Sequence, residues 1–325
     1  MEKEFIKELR SAVTSPVLLA DIGGSNSRFA LVGSGGRPER VLVLENDAVS
    51  GLEGAISRYL VESDSRPGAA VLAIAGPLDS EEVTLTNRDW RFRPHELAAR
   101  FGFSPLRVIN DFEAIAWSLP RLSETEIRPL GNVTTPRDGA KVVLGPGTGL
   151  GVAALVPADG RWHVVASEGG HASFGPQAPD EVDVFMRLIA EHGAVSAETI
   201  LSGPGLGRLA CALDPDATCR ESRTIVAGAL RRDASAQAAA RLFVRLLGRF
   251  AGGLALTFKA LGGVYITGGV AAALGPLLDD PQFRAAFEAH PPYQTLLASV
   301  PTFLITCDQP GLTGCAAVAD LFERA

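Results

Sequence analysis

Long apolar runs, basic blocks and clustered cysteines are missing from this sequence of 325 residues. The stretch from Phe250 to Leu261 is interrupted by two glycines and a lysine and is shorter than the roughly 20 apolar residues that span a bilayer. We therefore do not expect a membrane protein. The opening segment MEKEFIKELR mixes acids and bases and lacks the apolar core of a secretory signal, so we expect a cytoplasmic protein.

Excess positive charge is absent as well. The chain has 30 Lys and Arg against 37 Asp and Glu, a net charge of -7. Nucleic acid is therefore not an expected partner, because a protein that binds it neutralises runs of phosphates. With 46% hydrophobic residues the chain can build sizeable cores, and its length favours two domains over one.

The four cysteines are scattered, without a C-x-x-C pair and without a histidine at a metal-ligand interval. We predict four reduced thiols and no zinc site. The spacing of Cys211 and Cys219 would permit a disulfide, but a reducing compartment disfavours one. The other two cysteines are Cys307 and Cys315.

Two segments share one pattern, an apolar run, a glycine-rich turn and a second apolar run. They are VLLADIGGSNSRFALV from Val17 and KVVLGPGTGLGVAALV from Lys141, about 125 residues apart. Each predicts a β-hairpin, and together they predict a duplicated architecture. Between and after them strands alternate with helices, which indicates an α/β fold.

The turn of the first hairpin has the composition of a phosphate-binding loop. Glycines let a backbone approach an anion, and a nearby carboxylate can hold the Mg²⁺ that accompanies ATP, a role open to Asp21. The same residues also suit a plain hairpin turn closed by an Asx-type hydrogen bond. The turn consists of Gly23, Gly24, Ser25 and Asn26.

The second turn excludes two familiar nucleotide motifs. A dinucleotide fingerprint must open a helix, whereas strand-like VAALV follows here, and a P-loop would need Gly-Lys-Ser/Thr. What remains is a second phosphate-binding hairpin, in which Thr148 offers a hydroxyl donor. Its glycines are Gly145, Gly147 and Gly149, and a further pair, Gly268 and Gly269, follows a later predicted strand.

Two phosphate hairpins and a third glycine pair form the nucleotide signature of the actin and hexokinase ATPases. From Leu19 to about Ala319 the chain resembles the bacterial glucokinase family in order and approximate spacing of motifs. Several motifs in order are much more specific than one alone. The motifs are LADIGGSNSRFALV, LTNRDW, INDFEAIA, GPGTGLGVA, EGGH, VSAETILSGPGL, ITGGV, FRAAFE and PGLTGCA.

The resemblance implies an α/β fold with two actin/hexokinase-like (RNase H-like) domains and the site in a cleft between them. The small domain would comprise residues 1–121 and 310–325, and the large domain residues 122–309. The activity implied is that of a glucokinase, which moves the γ-phosphoryl group of ATP to the 6-hydroxyl of glucose with Mg²⁺. The resemblance also implies a homodimer.

In this resemblance Asp111 is the catalytic base and Asn110 contacts the sugar. A predicted strand, LRVIN, runs directly into a helix that starts at Asp111, so the carboxylate stands at the carboxyl end of a sheet, where it can accept a proton. Without the resemblance, Asp111 would be as well explained as the N-cap of the helix that continues from Phe112, a role that aspartate often has.

The polar groups for sugar hydroxyls would come from the motifs EGGH, LTN and VSAETI. A hexose is recognised by side chains that would be left unpaired with the wrong stereochemistry. Without the resemblance, the two glutamates would be taken for surface acids and the histidine for a lone loop imidazole. The residues implied are Asn87, Glu168, His171 and Glu198.

Two departures from the family pattern bear on sugar preference. After EGGH the family continues with a variable residue and Asp-Phe-Ala-Pro, whereas this chain has Ser173 in place of the carboxylate; after FRAAFE, His290-Pro291-Pro292 replaces a Lys-Gly-Arg run. Alternatives are a kinase for another hexose or amino sugar, or a non-catalytic sugar sensor. The repressor and sugar-kinase group is disfavoured, because it carries a cysteine-rich zinc loop after its Glu-x-Gly-His motif and no cysteine lies between His171 and Cys211.

Overall fold

The computed structural model describes residues 16–33, 36–78, 80–86, 88–214 and 221–322. The chain divides into two compact units. The first runs up to Arg121 and resumes at Asp308, and the second runs from Leu122 to Cys307. Both combine helices with sheets, which confirms the predicted α/β class. Within the described residues no helix is long and apolar enough to cross a membrane.

The strands of the first unit are β1 (Val17–Ile22), β2 (Asn26–Val32), β3 (Glu39–Glu45), β4 (Ala69–Ile74), β5 (Val83–Thr84), β6 (Arg91–Phe92) and β7 (Leu106–Asn110). Those of the second are β8 (Ile127–Pro129), β9 (Lys141–Pro146), β10 (Leu150–Ala158), β11 (Arg161–Ser167), β12 (Val264–Ile266) and β13 (Thr302–Ile305).

The helices of the first unit are α1 (Leu52–Glu62), α2 (Pro94–Phe101), α3 (Asp111–Ser118) and the late helix α13 (Pro310–Ala319). Those of the second are α4 (Val182–His192), α5 (Ala197–Ile200), α6 (Gly203–Leu213), α7 (Ser222–Leu230), α8 (Ala234–Thr257), α9 (Gly269–Ala273), α10 (Gly275–Leu278), α11 (Pro281–Glu288) and α12 (Gln294–Ala298).

The main sheet of the first unit has the order β3-β2-β1-β4-β7, with β1 antiparallel to β2 and parallel to β4. Its central strands are apolar on both faces, as expected for a sheet covered on both sides. Leu18 and Ile22 face a core that contains helices α1 and α2, whereas Leu19 faces a core that contains α13. The central strands are therefore buried between helices, so that their polar groups lie at the strand ends, whereas the edge strand β3 is largely exposed.

The second unit repeats this plan. Its sheet has the order β11-β10-β9-β12-β13-β8, in which β9 is antiparallel to β10 and parallel to β12. The first five strands thus match those of the first unit in order and direction, and β8 adds an antiparallel edge. The duplication predicted from the two hairpins is present in the sheets themselves.

Helix α8 is longer than its apolar pattern indicates. The sequence predicts a helix from Ser235 to Phe250, but the helix continues to Thr257 through Gly252 and Gly253. Gly252, and Gly248 one turn earlier, lie against backbone carbonyls of α11, where a Cβ atom would overlap the neighbouring chain. These glycines permit close helix packing, which compensates for their low helix propensity.

The prediction of four reduced thiols is wrong at Cys211, which is disulfide-bonded. Cys211 lies in the last turn of α6. Cys219 lies outside the described residues. Cys307 and Cys315 are free thiols, and Cys315 is buried.

Candidate active site

The first glycine-rich turn is held from one side by Asn46, which follows β3. The Asn46 side chain donates Nδ2 hydrogen bonds to the carbonyl oxygens of Gly23 at 2.8 Å and Gly24 at 3.1 Å. Its Oδ1 accepts a 2.6 Å hydrogen bond from Ser27 Oγ. The turn is closed by the Gly23 amide, which donates to Asn26 O at 3.0 Å.

Arg88 also binds this turn. Its Nε donates to Gly24 O at 2.9 Å, and its guanidinium forms an ion pair with Asp47. Because these side chains donate to the turn carbonyls, they help to fix the shape of the loop, while Ser25 remains exposed. No role for Asn46 or Arg88 follows from the sequence alone, because neither lies in the turn and only the fold brings them to it.

Asp21 lies near the end of β1, opposite Arg28 in the β1–β2 register. The nearest Arg28 nitrogen is 3.8 Å from the carboxylate. Burial raises the pKa of Asp21 above its ordinary value, and the Arg28 charge offsets this only in part. Gly311 of α13 packs so closely that a Cβ atom there would lie 2.7 Å from Asp21 Oδ2. A poorly solvated carboxylate of this kind is suited to a cation.

Asp111 is the first residue of α3, at the carboxyl end of β7. The alternative that Asp111 caps this helix is wrong, because the N-cap is Asn110, whose Oδ1 accepts from the amides of Phe112 at 2.9 Å and Glu113 at 3.3 Å. The Phe112 amide also lies 2.9 Å from Asp111 Oδ1. The cap uses only Oδ1 of Asn110, so its Nδ2 group can donate to other partners. The Asp111 carboxylate lies at the N-terminal, positive end of the helix dipole.

Glu113, two residues after Asp111 in the first turn of α3, is a half-buried carboxyl group. Burial raises the pKa of Glu113, against smaller lowering effects from the Asn110 backbone, the Trp117 side chain and the Arg107 charge. Asn87, predicted as a further sugar contact, lies outside the described residues.

The second glycine-rich turn meets two other glycine motifs of the second unit. The Gly147 amide donates to Gly149 O at 2.8 Å, and Gly147 O accepts from the amide of Gly203, the first residue of α6, at 2.7 Å. Gly268 has φ +92° and lies against Pro146 O, with no room for a Cβ atom. Gly268 therefore lies at the second turn, as predicted, and Gly203, for which the sequence alone indicates no role, lies there as well.

Thr148 and Gly269 are the other two positions predicted in this region. Thr148, at the tip of the turn, is exposed. Gly269 is the first residue of α9, and a Cβ atom there would meet nothing within 4 Å. Gly145, by contrast, is buried in the last part of β9, where it pairs with Gly151. The backbone around the tip is therefore open to a ligand, whereas Gly145 supports it from inside the sheet.

Glu198, in the first turn of α5, connects the turn with the EGGH loop. Its Oε2 accepts a 2.8 Å hydrogen bond from the Leu150 amide, at the start of β10. Its Oε1 lies 4.0 Å from His171 Nδ1. A Cβ atom at Gly149 would lie 2.5 Å from Glu198 Oε2. One carboxylate thus contacts both predicted parts of the site in this unit.

The EGGH loop forms a short 3-10 turn, Gly169–His171, in which the His171 amide donates to Glu168 O at 2.9 Å. The chain then pairs with the segment before Glu198. Ser173 forms an antiparallel bridge with Ser196, and the Ala197 amide donates to Ala172 O at 3.0 Å. The backbones that carry His171 and Glu198 are therefore fastened to each other.

No group of three or more His, Cys, Asp or Glu side chains that could hold a metal ion occurs among the residues the structure describes. A cation at Asp21 would therefore need further oxygen ligands from a substrate or from water. Magnesium bound with a nucleotide has this requirement, because it commonly takes one or two carboxylates, phosphate oxygens and several waters.

Comparison with known proteins identifies one family. The sequence pattern of the glucokinase family matches residues 18–321. A glucokinase of Chelativorans sp. is 41% identical over 312 residues, which cover 94% of this chain and 91% of that protein. A glucokinase of Mesorhizobium japonicum is 37% identical over 97% of this chain and 94% of that protein. Among solved structures, a glucokinase from an Antarctic psychrotroph superposes with a TM-score of 0.86 at 33% identity, over 94% of this chain and 99% of that chain.

Proposed function

The chain belongs to the glucokinase family and is an ATP-dependent hexose kinase, and from that premise we propose that Asp111 is the base of the reaction. The 6-hydroxyl oxygen of glucose bonds to the γ-phosphorus of ATP, the bond to the ADP oxygen breaks, and Asp111 accepts the hydroxyl proton. The products are glucose 6-phosphate and ADP. The observation that supports this role is the position of Asp111 at the carboxyl end of β7, with the capping of α3 carried by Asn110.

Sugar recognition is proposed for the polar groups that the family resemblance implies. In the first unit Asn110 keeps its Nδ2 donors, because only its Oδ1 is used for the helix cap. In the second unit His171 and Glu198 lie near each other and can share a set of sugar hydroxyls. Polar groups of this kind discriminate between sugars, since a wrong stereoisomer that covers them leaves them unpaired. The proposed set is Asn87, Asn110, Asp111, Glu168, His171 and Glu198.

Nucleotide binding is proposed for the glycine-rich turns. Turn amides other than those of Gly23 and Gly147, which donate within their own turns, and the Thr148 hydroxyl would donate to phosphate oxygens, while Asn46 and Arg88 keep the first turn in shape. Asp21 would hold Mg²⁺, which neutralises developing phosphate charge in such reactions. The raised pKa of Asp21 supports this, because a cation would relieve the cost of the buried charge. The set is Asp21, Gly23, Gly24, Ser25, Asn26, Gly145, Gly147, Thr148, Gly149, Gly268 and Gly269.

We further propose that the two compact units are the two domains implied by the resemblance, that the protein is a homodimer and that it works in the cytoplasm. The support for two domains is that each unit has its own sheet and its own apolar cores. Light scattering would test the dimer directly, since the chain mass is 34.0 kDa.

Two variants of Asp111 test the proposed base. Asp111→Asn keeps an oxygen that can accept from the Phe112 amide, so it controls for folding, and Asp111→Ala removes the whole carboxylate. Both should lower kcat by about 10² to 10⁴. Glucose binding, measured by calorimetry without ATP, should persist in Asp111→Asn. Wild-type kcat in both variants would refute the assignment.

Glucose preference is tested by the rate of ADP release with glucose, mannose, fructose and glucosamine. We expect the highest kcat/KM with glucose. A preference for another sugar would be attributed to Ser173, which replaces the carboxylate of the family pattern. Ser173 is exposed and pairs through its backbone with Ser196. A higher kcat/KM with one of the other sugars would assign the preference to that sugar while leaving the role of Asp111 unchanged.

A further inference from the structure

Arg249 is a buried arginine in the middle of α8, far in sequence from the proposed sugar-binding residues. Its guanidinium reaches the segment that follows the EGGH loop. Nη2 donates to Gly175 O at 2.7 Å, and the guanidinium lies over the ring of Phe174, 4.5 Å from the ring centre. Such a combination of hydrogen bond and stacking uses the planar shape of arginine as well as its charge.

The charge of Arg249 is balanced by Glu181, which is also buried. Arg249 Nη1 lies 2.6 Å from Glu181 Oε2. The same Glu181 oxygen accepts from the Gln177 amide at 2.9 Å, and Arg245 lies 3.3 Å from the other oxygen. The ion pair therefore fixes both ends of the segment from Phe174 to Glu181, because the arginine holds its start and the glutamate its end.

This segment continues directly from the backbone that carries His171. The Phe174 amide donates to Val195 O at 3.0 Å, next to the Ser173–Ser196 bridge. Ser196 in turn caps α5, where its Oγ accepts from the Thr199 amide at 3.3 Å, and Glu198 lies in the first turn of that helix. A displacement of Phe174 would therefore be transmitted along short, hydrogen-bonded backbone to His171 on one side and Glu198 on the other.

We infer that Arg249 is a positioning residue for sugar binding, which holds the segment of residues 172–176 and thereby sets the placement of His171 and Glu198. The inference rests on the proposed role of these two residues in binding glucose. In this role Arg249 contacts neither the sugar nor the reacting atoms. It acts through Phe174 and Gly175.

Both departures from the family pattern adjoin Arg249. Ser173 precedes Phe174, the residue under the guanidinium, and His290 Nε2 lies 3.1 Å from the carbonyl oxygen of Arg249. Because a carbonyl only accepts, the imidazole nitrogen is the donor. The sequence differences at Ser173 and His290 therefore fall at the two ends of one connected group, Phe174, Arg249 and His290, although they lie far apart in the sequence.

Arg249→Lys is the central test, because lysine keeps the positive charge next to Glu181 but lacks the planar fork that binds Gly175 and stacks on Phe174. We expect the KM for glucose to rise about tenfold, since a displacement of about 1 Å in a binding group can cost up to about a hundredfold. The KM for ATP and the kcat at saturating glucose should each stay within about twofold of wild type.

Arg284→Lys is the matched control in the same unit. Arg284 also pairs with a glutamate, Glu288 at 2.7 Å, donates to a backbone carbonyl, that of Val300 at 3.0 Å, and lies 4.5 Å from the centre of a phenylalanine ring, that of Phe287. Its partners carry none of the proposed sugar contacts. We expect a lower melting temperature for Arg284→Lys with an unchanged glucose KM.

Phe174→Leu covers the case in which Arg249→Lys fails to fold. It keeps the Arg249–Glu181 ion pair and an apolar side chain against Phe185 and Phe250, but removes the ring under the guanidinium. The glucose KM should rise in this variant too. A melting temperature that falls while the glucose KM of both Arg249→Lys and Phe174→Leu stays at the level of Arg284→Lys would make Arg249 a purely structural residue and overturn the inference.

His171→Ala separates this inference from the proposed sugar site. If His171→Ala raises the glucose KM and Arg249→Lys does not, the positioning role fails and the site stands. If His171→Ala leaves the glucose KM unchanged, the proposed sugar loop fails and the positioning role fails with it. A rise in both supports the inference.

Discussion

The carboxylate of Glu198 accepts a 2.8 Å hydrogen bond from the Leu150 amide on one oxygen, while its other oxygen lies 4.0 Å from Nδ1 of His171. Leu150 begins the strand that leaves the second glycine-rich turn. The turn proposed for phosphate and the loop proposed for sugar therefore share one side chain. Substitution of this carboxylate can therefore affect the KM for glucose and the KM for ATP, but to different extents.

Two substitutions of Glu198 separate the two contacts. Glu198→Gln keeps an oxygen for the Leu150 amide but loses the charge, whereas Glu198→Ala loses both. We expect the KM for glucose to rise about tenfold or more in both variants, because a hydrogen bond to a charged group contributes about 1.5–3 kcal/mol. The KM for ATP should rise only in Glu198→Ala. Steady-state kinetics with each substrate varied would measure this, and equal ATP constants in the two variants would contradict it.

Gly149 should be intolerant of a side chain, because a Cβ atom there would lie 2.5 Å from Glu198 Oε2. Gly149→Ala is expected to displace Glu198, raising the KM for glucose and lowering the melting temperature. Gly147→Ala is the matched comparison, since a Cβ atom there meets nothing within 4 Å. It should leave the melting temperature and the glucose KM unchanged and raise only the KM for ATP if phosphate approaches the turn. Identical behaviour of the two variants would refute this reading of the turn.

Asp21→Asn should stabilise the protein near neutral pH. Burial raises the pKa of Asp21 in the folded state, so the folded protein binds this proton more tightly than the unfolded chain. The ionised group therefore costs stability at every pH above the raised pKa, and the cost disappears as pH falls below its ordinary value of 3.8. Removing the charge should raise the melting temperature at pH above the folded pKa and change nothing at pH below the ordinary value.

Thermal melts without Mg²⁺ across that pH range would test this prediction, with the exposed Asp138→Asn as the control. The control should melt like the wild type throughout. Addition of Mg²⁺ with ADP should stabilise the wild type more than Asp21→Asn, because only the wild type offers the carboxylate. An Asp21→Asn protein that melts below the wild type at neutral pH would show that burial does not penalise this charge.

Gly268 and Gly269 should respond very differently to alanine. Gly268 has φ +92° and lies against Pro146 O, so Gly268→Ala combines an unfavourable backbone with a steric clash. We expect a loss of about 2 kcal/mol or more in the free energy of unfolding, measured by urea denaturation. Gly269→Ala should cost little, since a Cβ atom there meets nothing within 4 Å and the residue begins α9. Equal losses would contradict the assigned geometry.

The sequence predicted the elements around the site well where local pattern and burial agree. The strand Leu106–Asn110 has the predicted bounds, because five residues bounded by a proline and a helix start leave little choice of register. Both hairpins follow from apolar runs that flank glycines. Helix α8 exceeded its prediction because Gly252 is favoured there by packing against α11, which no local pattern reveals.

Contacts between distant parts of the chain were not predictable in this way. Asn46 lies 22 positions from Gly24 and Arg88 lies 64 positions from it, and no local pattern links either residue to the turn. Arg249 is 68 positions from Glu181, and along α8 it looks like any other charged residue in a helix. Such residues make these contacts only because the fold brings distant parts of the chain together. A single sequence shows their chemistry but not their neighbours.

The return of the chain to the first unit through α13 has a consequence for synthesis on the ribosome. One apolar core of that unit joins Leu19 and Val71 of the central strands to Leu312 and Ala316 of α13. These late residues emerge after the whole second unit, whose strands and helices are contiguous from Leu122 to Cys307. The strands of the first unit therefore cannot complete this core until α13 has been synthesised. The second unit can complete its own core before that.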